Sequence, residues 1–324
     1  KLEGAIAQNL LMDLKPYIDE NGLEAQVGAN YEQNQVDGKI YTVSIGLASI
    51  GMWVNTDVLE ATGATMPEEW TTWEAFADAM ETVRVNGEAM GYYSYGSGQG
   101  SIRMFNAALA ATPAGAEMLK GPLTADAINS EEFADAFRTV ATLDQQNGSA
   151  NSSVNANDFA ADFNNGLSAV FINGVWGASQ FAGSDNFVSC IYPNSVAISS
   201  ANTGLYVAND LSDAQKELAL EFIKYMTSEE VQSRYFLETS SNPINENVDI
   251  QKLAQESGDP TALKLAEACD KCNKADTIVL AIDVCWGNDV GGALQNKFAE
   301  CAVAGTDIEA KLAELQAELT ALIG

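Results

Sequence analysis

Trp176 stands where a predicted strand gives way to a predicted helix. The apolar run from Leu167 to Ile172 is rich in Val, Phe and Ile, which is typical of a buried strand. Asn173-Gly174 then turns the chain, because Asn and Gly tolerate positive φ, and helical spacing resumes at Val175. Ligands of α/β proteins commonly bind at such junctions, so the indole is a candidate platform for a ligand. The alternative is that Trp176 belongs to the core.

Several kinds of catalyst are excluded by composition. The sequence has no histidine, the commonest general base and metal ligand, so a Ser-His-Asp or Cys-His catalyst is impossible. Of five cysteines, Cys269 and Cys272 have a CxxC spacing but lie in a helical pattern, and no second pair has zinc spacing. Structural or free thiols are favoured, with a disulfide or a metal left open, and we predict no cofactor. The glycine-rich stretch 91–100 is not a phosphate loop, because no lysine follows it.

The net charge excludes some classes of partner, and the length indicates the number of domains. The 324 residues include 45 acidic and 16 basic side chains, which gives a net charge of −29. Such a field repels phosphate, so nucleic acid and anionic membranes are poor partners. The length suits two domains better than one core. No apolar run reaches the roughly 18 residues that a transmembrane helix needs.

The spacing of apolar residues and the helix-start signals predict helices and strands in the rest of the chain. Residues 1–22 keep helical spacing, and Pro16 indicates a late kink or stop, whereas 40–47 and 50–54 have the composition of two successive strands. Three capping boxes mark helix starts. They are formed by Thr71 and Glu74, Ser212 and Gln215, and Thr227 and Glu230.

Ordered motifs along the chain resemble those of the extracellular solute-binding proteins of carbohydrate ABC transporters, family 1, which are maltose-binding-protein-like. Two positions depart from the family pattern: Ser44 replaces a usual proline, and the return crossover at 202–208 keeps only Gly204. The motifs are NLLMDLKPYIDENG (9–22), KIYTVSIGLASIGMWVN (39–55), PEEWTTWEAF (67–76), DFAADFNNGLSAVFINGVWGASQFA (158–182), ALEFIKYMTSEEVQSRY (219–235) and GTDIEAKLAELQAELTAL (305–322).

The resemblance implies an α/β fold with two lobes of the periplasmic-binding-protein type II. Each lobe is expected to hold a mixed, mostly parallel sheet flanked by helices, with the ligand cleft between the lobes. Residues 1–47 plus 202–276 would form the first lobe, and 48–201 plus 277–324 the second. In the family a substantial segment with the first strands precedes residues 1–22, so we expect the first lobe to be incomplete here or completed by residues outside this sequence.

The implied function is the capture of a mono- or oligosaccharide by hinge closure and its delivery to the permease subunits of an ABC importer. Such a protein is a monomeric, extracellular or periplasmic receptor and breaks no bond. Family members from single-membrane bacteria are lipid-anchored through an N-terminal Cys, which this sequence does not show, so anchoring stays open. Two alternatives remain: a surface interaction or sensor protein that keeps the fold, and a glycoside-acting enzyme with paired carboxylates.

A sugar presents apolar C–H faces to an aromatic plane and hydroxyls to planar polar groups. Trp176 occupies the position of the family's stacking tryptophan, and Trp286 that of a frequent second aromatic. Residues beside the expected crossovers and turns complete the predicted site, although each also has a purely structural interpretation. The candidate ligand-binding residues are Trp176, Trp286, Asn173, Gln99, Ser49, Tyr206 and Asp283.

Overall fold

The computed structural model describes residues 2–89, 91–92, 99–148, 156–181, 183–201 and 204–324. The side chains of residues 2, 3 and 156–158 are not included in this description. Most of the glycine- and tyrosine-rich stretch, 93–98, lies outside the described residues, as do Asn202 and Thr203 of the predicted return crossover.

The strands are short except for one central strand of eight residues. They are β1 (Gln35–Val36), β2 (Lys39–Ile40), β3 (Val43–Ser44), β4 (Ala48–Asn55), β5 (Val170–Gly174), β6 (Phe187–Cys190), β7 (Val196–Ser200), β8 (Gly204–Leu205) and β9 (Thr277–Val279). Single 3-10 turns occupy Pro67–Glu69, Val175–Gly177 and Pro193–Ser195.

Helices account for most of the regular structure. They are α1 (Leu2–Ala7), α2 (Lys15–Asn21), α3 (Glu24–Val27), α4 (Asn30–Gln33), α5 (Thr56–Thr62), α6 (Trp73–Asn86), α7 (Gln99–Ala110), α8 (Pro113–Met118), α9 (Ala125–Ile128), α10 (Glu131–Asn147), α11 (Ala156–Asn164), α12 (Ala178–Phe181), α13 (Asp213–Met226), α14 (Glu229–Thr239), α15 (Ile250–Ser257), α16 (Pro260–Asn273), α17 (Ile282–Cys285), α18 (Asn288–Cys301) and α19 (Ile308–Ile323).

The chain divides into two compact units, each built from two separate stretches. Unit 1 comprises Lys1–Ala48 and Ser200–Ala266, and unit 2 comprises Ser49–Ser199 and Glu267–Gly324. The sequence places the exchanges after residues 47, 201 and 276, and that division stays a prediction. In the structure the third exchange falls inside α16, a continuous helix that the sequence pattern assigns to one lobe.

The sheet of unit 2 is mixed and has β4 at its centre. β4 pairs antiparallel with β5 and β6, whereas β7 and β9 pair parallel to each other. Because side chains alternate along a strand, Met52 and Val54 join one core, and Trp53 points to the other face. On that second face Trp53 packs against Phe181, with ring centroids 5.3 Å apart. β5 therefore ends above a buried aromatic cluster.

Unit 1 has a smaller core, formed where α2, α13 and the short strands meet. Its described strands pair as two antiparallel couples, β1 with β2 and β3 with β8. Helix α13 buries Leu220 and Ile223 in this core. Three of its large apolar side chains, Leu218, Phe222 and Tyr225, are 72%, 49% and 56% exposed.

Several predicted elements differ from the structure in detail. Residues 1–22 form α1 and α2 rather than one helix, because Asn9 has φ of 55° and Leu11 bridges to Ala208. The first predicted strand, 40–47, is also wrong, since only the two-residue β3 lies within it, whereas β4 confirms the second.

Of the three predicted helix starts, the one at Ser212 and Gln215 is confirmed as a capping box. The other two are wrong by one residue, since Thr72 and Ser228 are the capping side chains. Thr227 instead donates its hydroxyl to the carbonyl oxygen of Ile223, 3.0 Å away, and so closes α13.

Candidate functional site

Trp176 lies in the 3-10 turn that follows β5, at the strand-to-helix junction that the sequence predicts. The residue is 41% exposed, although Val175 and Gly177 on either side are buried. It is the most exposed of the five tryptophans, all of which lie in the described part of the chain: three are buried and Trp73 is partly buried. A large apolar ring that faces water beside a strand end is available to stack on a ligand.

The turn below Trp176 is held by a second, buried tryptophan. Trp53 is 1% exposed and donates its indole Nε1–H to the carbonyl oxygen of Gly174, 2.9 Å away. The strand register places Trp53 opposite Phe171, so this bond spans from the centre of β4 to the end of β5. A buried hydrogen bond of this kind fixes the position of the residue that precedes the turn.

Asn173 has its side-chain oxygen directed at the backbone of the same turn, where Oδ1 accepts from the Gly174 amide at 2.9 Å. The residue is 8% exposed and, with Trp53 and Lys271, lines a small pocket whose cavity volume is about 10 Å³. Ligand sites generally enclose roughly 300–1,000 Å³, so this pocket alone does not hold an oligosaccharide. Asn173 therefore shapes the turn, and its contact with a ligand stays a prediction.

Asp283 is paired with Arg103, a residue that the sequence analysis did not single out. Arg103 Nη1 and Nη2 lie 2.5 and 3.2 Å from the two carboxylate oxygens, which is a bidentate pair. Burial alone raises the pKa of Asp283, but the Arg103 guanidinium outweighs it and holds this pKa below its usual value. The Asp283 side chain is still 30% exposed, so an oxygen lone pair remains accessible to a hydroxyl.

Gln99 and Tyr206 occupy different units. Gln99 begins α7 and is partly exposed, and α7 carries Arg103 one turn further on. Helix α7 also contacts β5, the strand that leads to Trp176, and α17, the helix that carries Asp283. Tyr206 follows β8 in unit 1 and is 51% exposed. Both residues stay predicted ligand contacts.

The packing argues against two of the predicted ligand contacts. Trp286 is only 8% exposed; it stacks on Phe133 with centroids 6.4 Å apart and donates Nε1–H to the carbonyl oxygen of Met118 at 3.2 Å. Ser49 in β4 is 0% exposed. We correct both predictions, because an enclosed ring and an enclosed hydroxyl have no free surface for a sugar. Trp286 belongs to the core of unit 2.

Arg103 and Trp53 are the residues at this site that sequence reasoning missed. Arg103 is one of only 16 basic residues and lies four positions after Gln99, on the same side of a helix. That rarity in an acidic chain was the available signal. Trp53 gave no signal of its own, because an aromatic residue inside a strand is most often core.

The five cysteines are free thiols. Burial raises the pKa of the Cys190, Cys272 and Cys285 thiols to about 12, which makes them poor nucleophiles at neutral pH. Across the described ranges, no group of three or more Cys, Asp or Glu side chains is arranged to hold a metal ion. No helix in the same ranges has the length and apolar character required to cross a bilayer.

Comparison with known proteins identifies the class. The profile of the family described as bacterial extracellular solute-binding protein matches residues 1–261, and this chain belongs to that family. A Streptococcus pneumoniae solute-binding protein, solved in complex with the blood group A-trisaccharide, is 42% identical with a TM-score of 0.92. The match covers 98% of this chain and 81% of the pneumococcal one.

More distant structures share the fold. A chitin oligosaccharide binding protein is 19% identical with a TM-score of 0.76, over 98% of this chain and 80% of the other. The sugar-binding protein MalE from the phytopathogen Xanthomonas citri is 16% identical with a TM-score of 0.78, over 98% and 80%. No curated protein matches the sequence. The predicted two-lobe α/β class is thereby confirmed. The expectation of mostly parallel sheets is wrong for the strand pairs given above, because β1–β2, β3–β8, β4–β5 and β4–β6 are antiparallel and β7–β9 is parallel.

Proposed function

We propose that this protein is an extracellular receptor that binds a mono- or oligosaccharide and delivers it to the permease subunits of an ABC importer. The observation that carries the proposal is the exposed Trp176 indole at the end of β5, in a chain of the solute-binding family. The blood group A-trisaccharide bound by the 42% identical pneumococcal protein supports an oligosaccharide as the ligand.

The side chains of unit 2 suit the two kinds of surface that a sugar presents. The indole of Trp176 covers an apolar C–H face, while the Asp283 carboxylate accepts from hydroxyls and the Arg103 guanidinium donates to them. Because Arg103 holds Asp283 in place, the carboxylate is oriented before the sugar arrives, which lowers the entropic cost of binding. In the proposed site of unit 2, Gln99 and Asn173 add planar amides, while Tyr206 stays a separate predicted ligand contact in unit 1.

We infer that the protein binds its sugar without breaking a bond. Its family consists of binding proteins, and hydrolysis of a glycoside requires two carboxylic groups with different roles. At the proposed site the Asp283 carboxylate is ionised and occupied by a guanidinium, which suits recognition and not proton donation. The family also supports a location outside the cytoplasmic membrane, where a receptor of an importer meets its ligand.

Calorimetric titration tests the proposal directly. The panel contains the blood group A-trisaccharide, a chitin oligosaccharide and common monosaccharides. We expect saturable binding of at least one sugar with one-to-one stoichiometry and no release of reducing ends on prolonged incubation. Absence of binding across the panel, or steady release of product, would contradict the proposed function.

A further inference from the structure

The orientation of the exposed indole depends on a glycine directly beneath it. A Cβ placed on Gly174 would overlap with Cζ3, Cη2 and Cε3 of Trp176, so the six-membered part of the indole lies against the Gly174 backbone. Gly174 itself has φ of −81° and ψ of 174°, which any residue adopts. The requirement for glycine at this position is therefore the space taken by the ring, and not the backbone conformation.

The buried Trp53 contacts the same turn on both sides of Trp176. The Nε1–H of Trp53 holds the carbonyl oxygen of Gly174, and a Cβ on Gly177 would lie 3.0 Å from Cδ1 of Trp53 and closer still to Nε1. Gly174 and Gly177 thus lie on either side of Trp176 in the chain. Gly174 contacts the indole of Trp176, and Gly177 contacts the indole of Trp53. Trp53 is in turn packed against Phe181, so it has no room to move.

We propose that Gly174, Gly177 and Trp53 are positioning residues that hold the Trp176 ring for the sugar. One side of the ring is backed by the Gly174 backbone, and the exposed remainder is left for a ligand. A ring that is held in this way loses little rotamer freedom when a sugar stacks on it, so more of the contact energy contributes to affinity. The inference rests on the proposed function only in taking a sugar as the ligand.

Gly174→Ala is the variant that separates positioning from folding. The added methyl group displaces an exposed ring, and its backbone conformation is allowed, so the fold is expected to survive with a nearly unchanged melting temperature. The ring must leave its present orientation. Gly183→Ala is the matched control, because a Cβ on Gly183 meets nothing within 4 Å.

Two measurements report the result. Acrylamide quenching needs no sugar, and Trp176 is the most exposed of the five tryptophans: Trp53, Trp70 and Trp286 are 1%, 4% and 8% exposed, and Trp73 is partly buried. We expect a higher quenching constant for Gly174→Ala and no change for Gly183→Ala. Titration with the blood group A-trisaccharide should show a loss of affinity of about tenfold for Gly174→Ala.

A double variant shows whether Gly174 acts through the ring. Adding Gly174→Ala to Trp176→Ala should cause no further loss of trisaccharide affinity, because the ring that Gly174 supports is already absent. Wild-type quenching and affinity in Gly174→Ala, or additive losses in the double variant, would overturn the inference. If wild-type protein binds no sugar, the proposed function fails, while the quenching experiment still decides whether Gly174 positions the ring.

Discussion

Replacing Trp176 by alanine removes the ring on which the proposed site depends. The residue is 41% exposed, which corresponds to roughly 100 Å² for a side chain of about 250 Å². At about 25 cal/mol per Å², covering all of that area contributes about 2.5 kcal/mol to binding. The affinity would then fall by roughly 60-fold, or by roughly eightfold if the sugar covers half of the exposed area.

The assay is calorimetric titration of wild type and Trp176→Ala with the same oligosaccharide, and thermal unfolding of both proteins. The melting temperature should fall, because more than half of the residue is covered by its neighbours, and both titrations are run well below it so that folded proteins are compared. Tyr225→Ala on α13 is the matched control, since that aromatic is 56% exposed in unit 1 and has no part in the proposed site. Affinity within twofold of wild type for Trp176→Ala would refute the stacking argument.

Three further predictions concern residues that the structure places in or near the core of unit 2. Trp286→Phe should lower the free energy of unfolding by about 1–2 kcal/mol, because phenylalanine cannot donate the hydrogen bond to the Met118 carbonyl oxygen. The sugar affinity should stay the same, and weaker binding in titration would return Trp286 to the ligand site. Burial raises the pKa of Asp144 from 3.8 to about 7, so the folded state keeps a proton that the unfolded state releases, and the contribution of Asp144 to stability should be lost as pH rises from about 4 to 7. Asp144→Asn should remove this contribution, so the melting temperatures of wild type and variant should diverge or converge across that pH range. Melting temperatures that run parallel in the two proteins would contradict the raised pKa of Asp144. Asp283→Ala should lower the free energy of unfolding by about 1–3 kcal/mol, because it leaves the largely buried Arg103 unpaired. Urea unfolding of Asp283→Ala, Arg103→Ala and the double variant measures the coupling between the two residues. Additive losses in the double variant would contradict the coupling.

The turn around Trp176 was predictable because its signals are local. The sequence predicts a strand over Leu167–Ile172 and a turn at Asn173-Gly174. The structure confirms a strand and an exposed ring there, but the strand runs from Val170 to Gly174 and the turn lies one step later, at Val175–Gly177. The capping box of Ser212 and Gln215 was predictable for the same reason. Each of these features depends on residues a few positions apart.

Features decided by distant residues could not be read from the sequence. The apolar spacing of residues 1–22 is continuous, but pairing of Leu11 with Ala208, far away in the chain, takes the backbone out of the helix. The exposure of Trp286 is likewise set by Phe133 and Met118, which approach from other helices. An aromatic residue has the same local pattern whether it lines a ligand site or fills a core, so only the packing distinguishes Trp176 from Trp286.

The core of unit 2 is assembled from stretches that are far apart in the chain. Leu312, Leu315 and Leu319 of α19 are buried in that core, and α19 contacts α10 and α18. During synthesis, α10 leaves the ribosome more than a hundred residues before α19, and the second stretch of unit 1 is made between them. Helix α10 packs on α7 and α6, which are made before it, but the part that faces α18 and α19 stays uncovered while the second stretch of unit 1 is translated. A stalled or shortened chain that exposes this part is a natural substrate for chaperones and proteases.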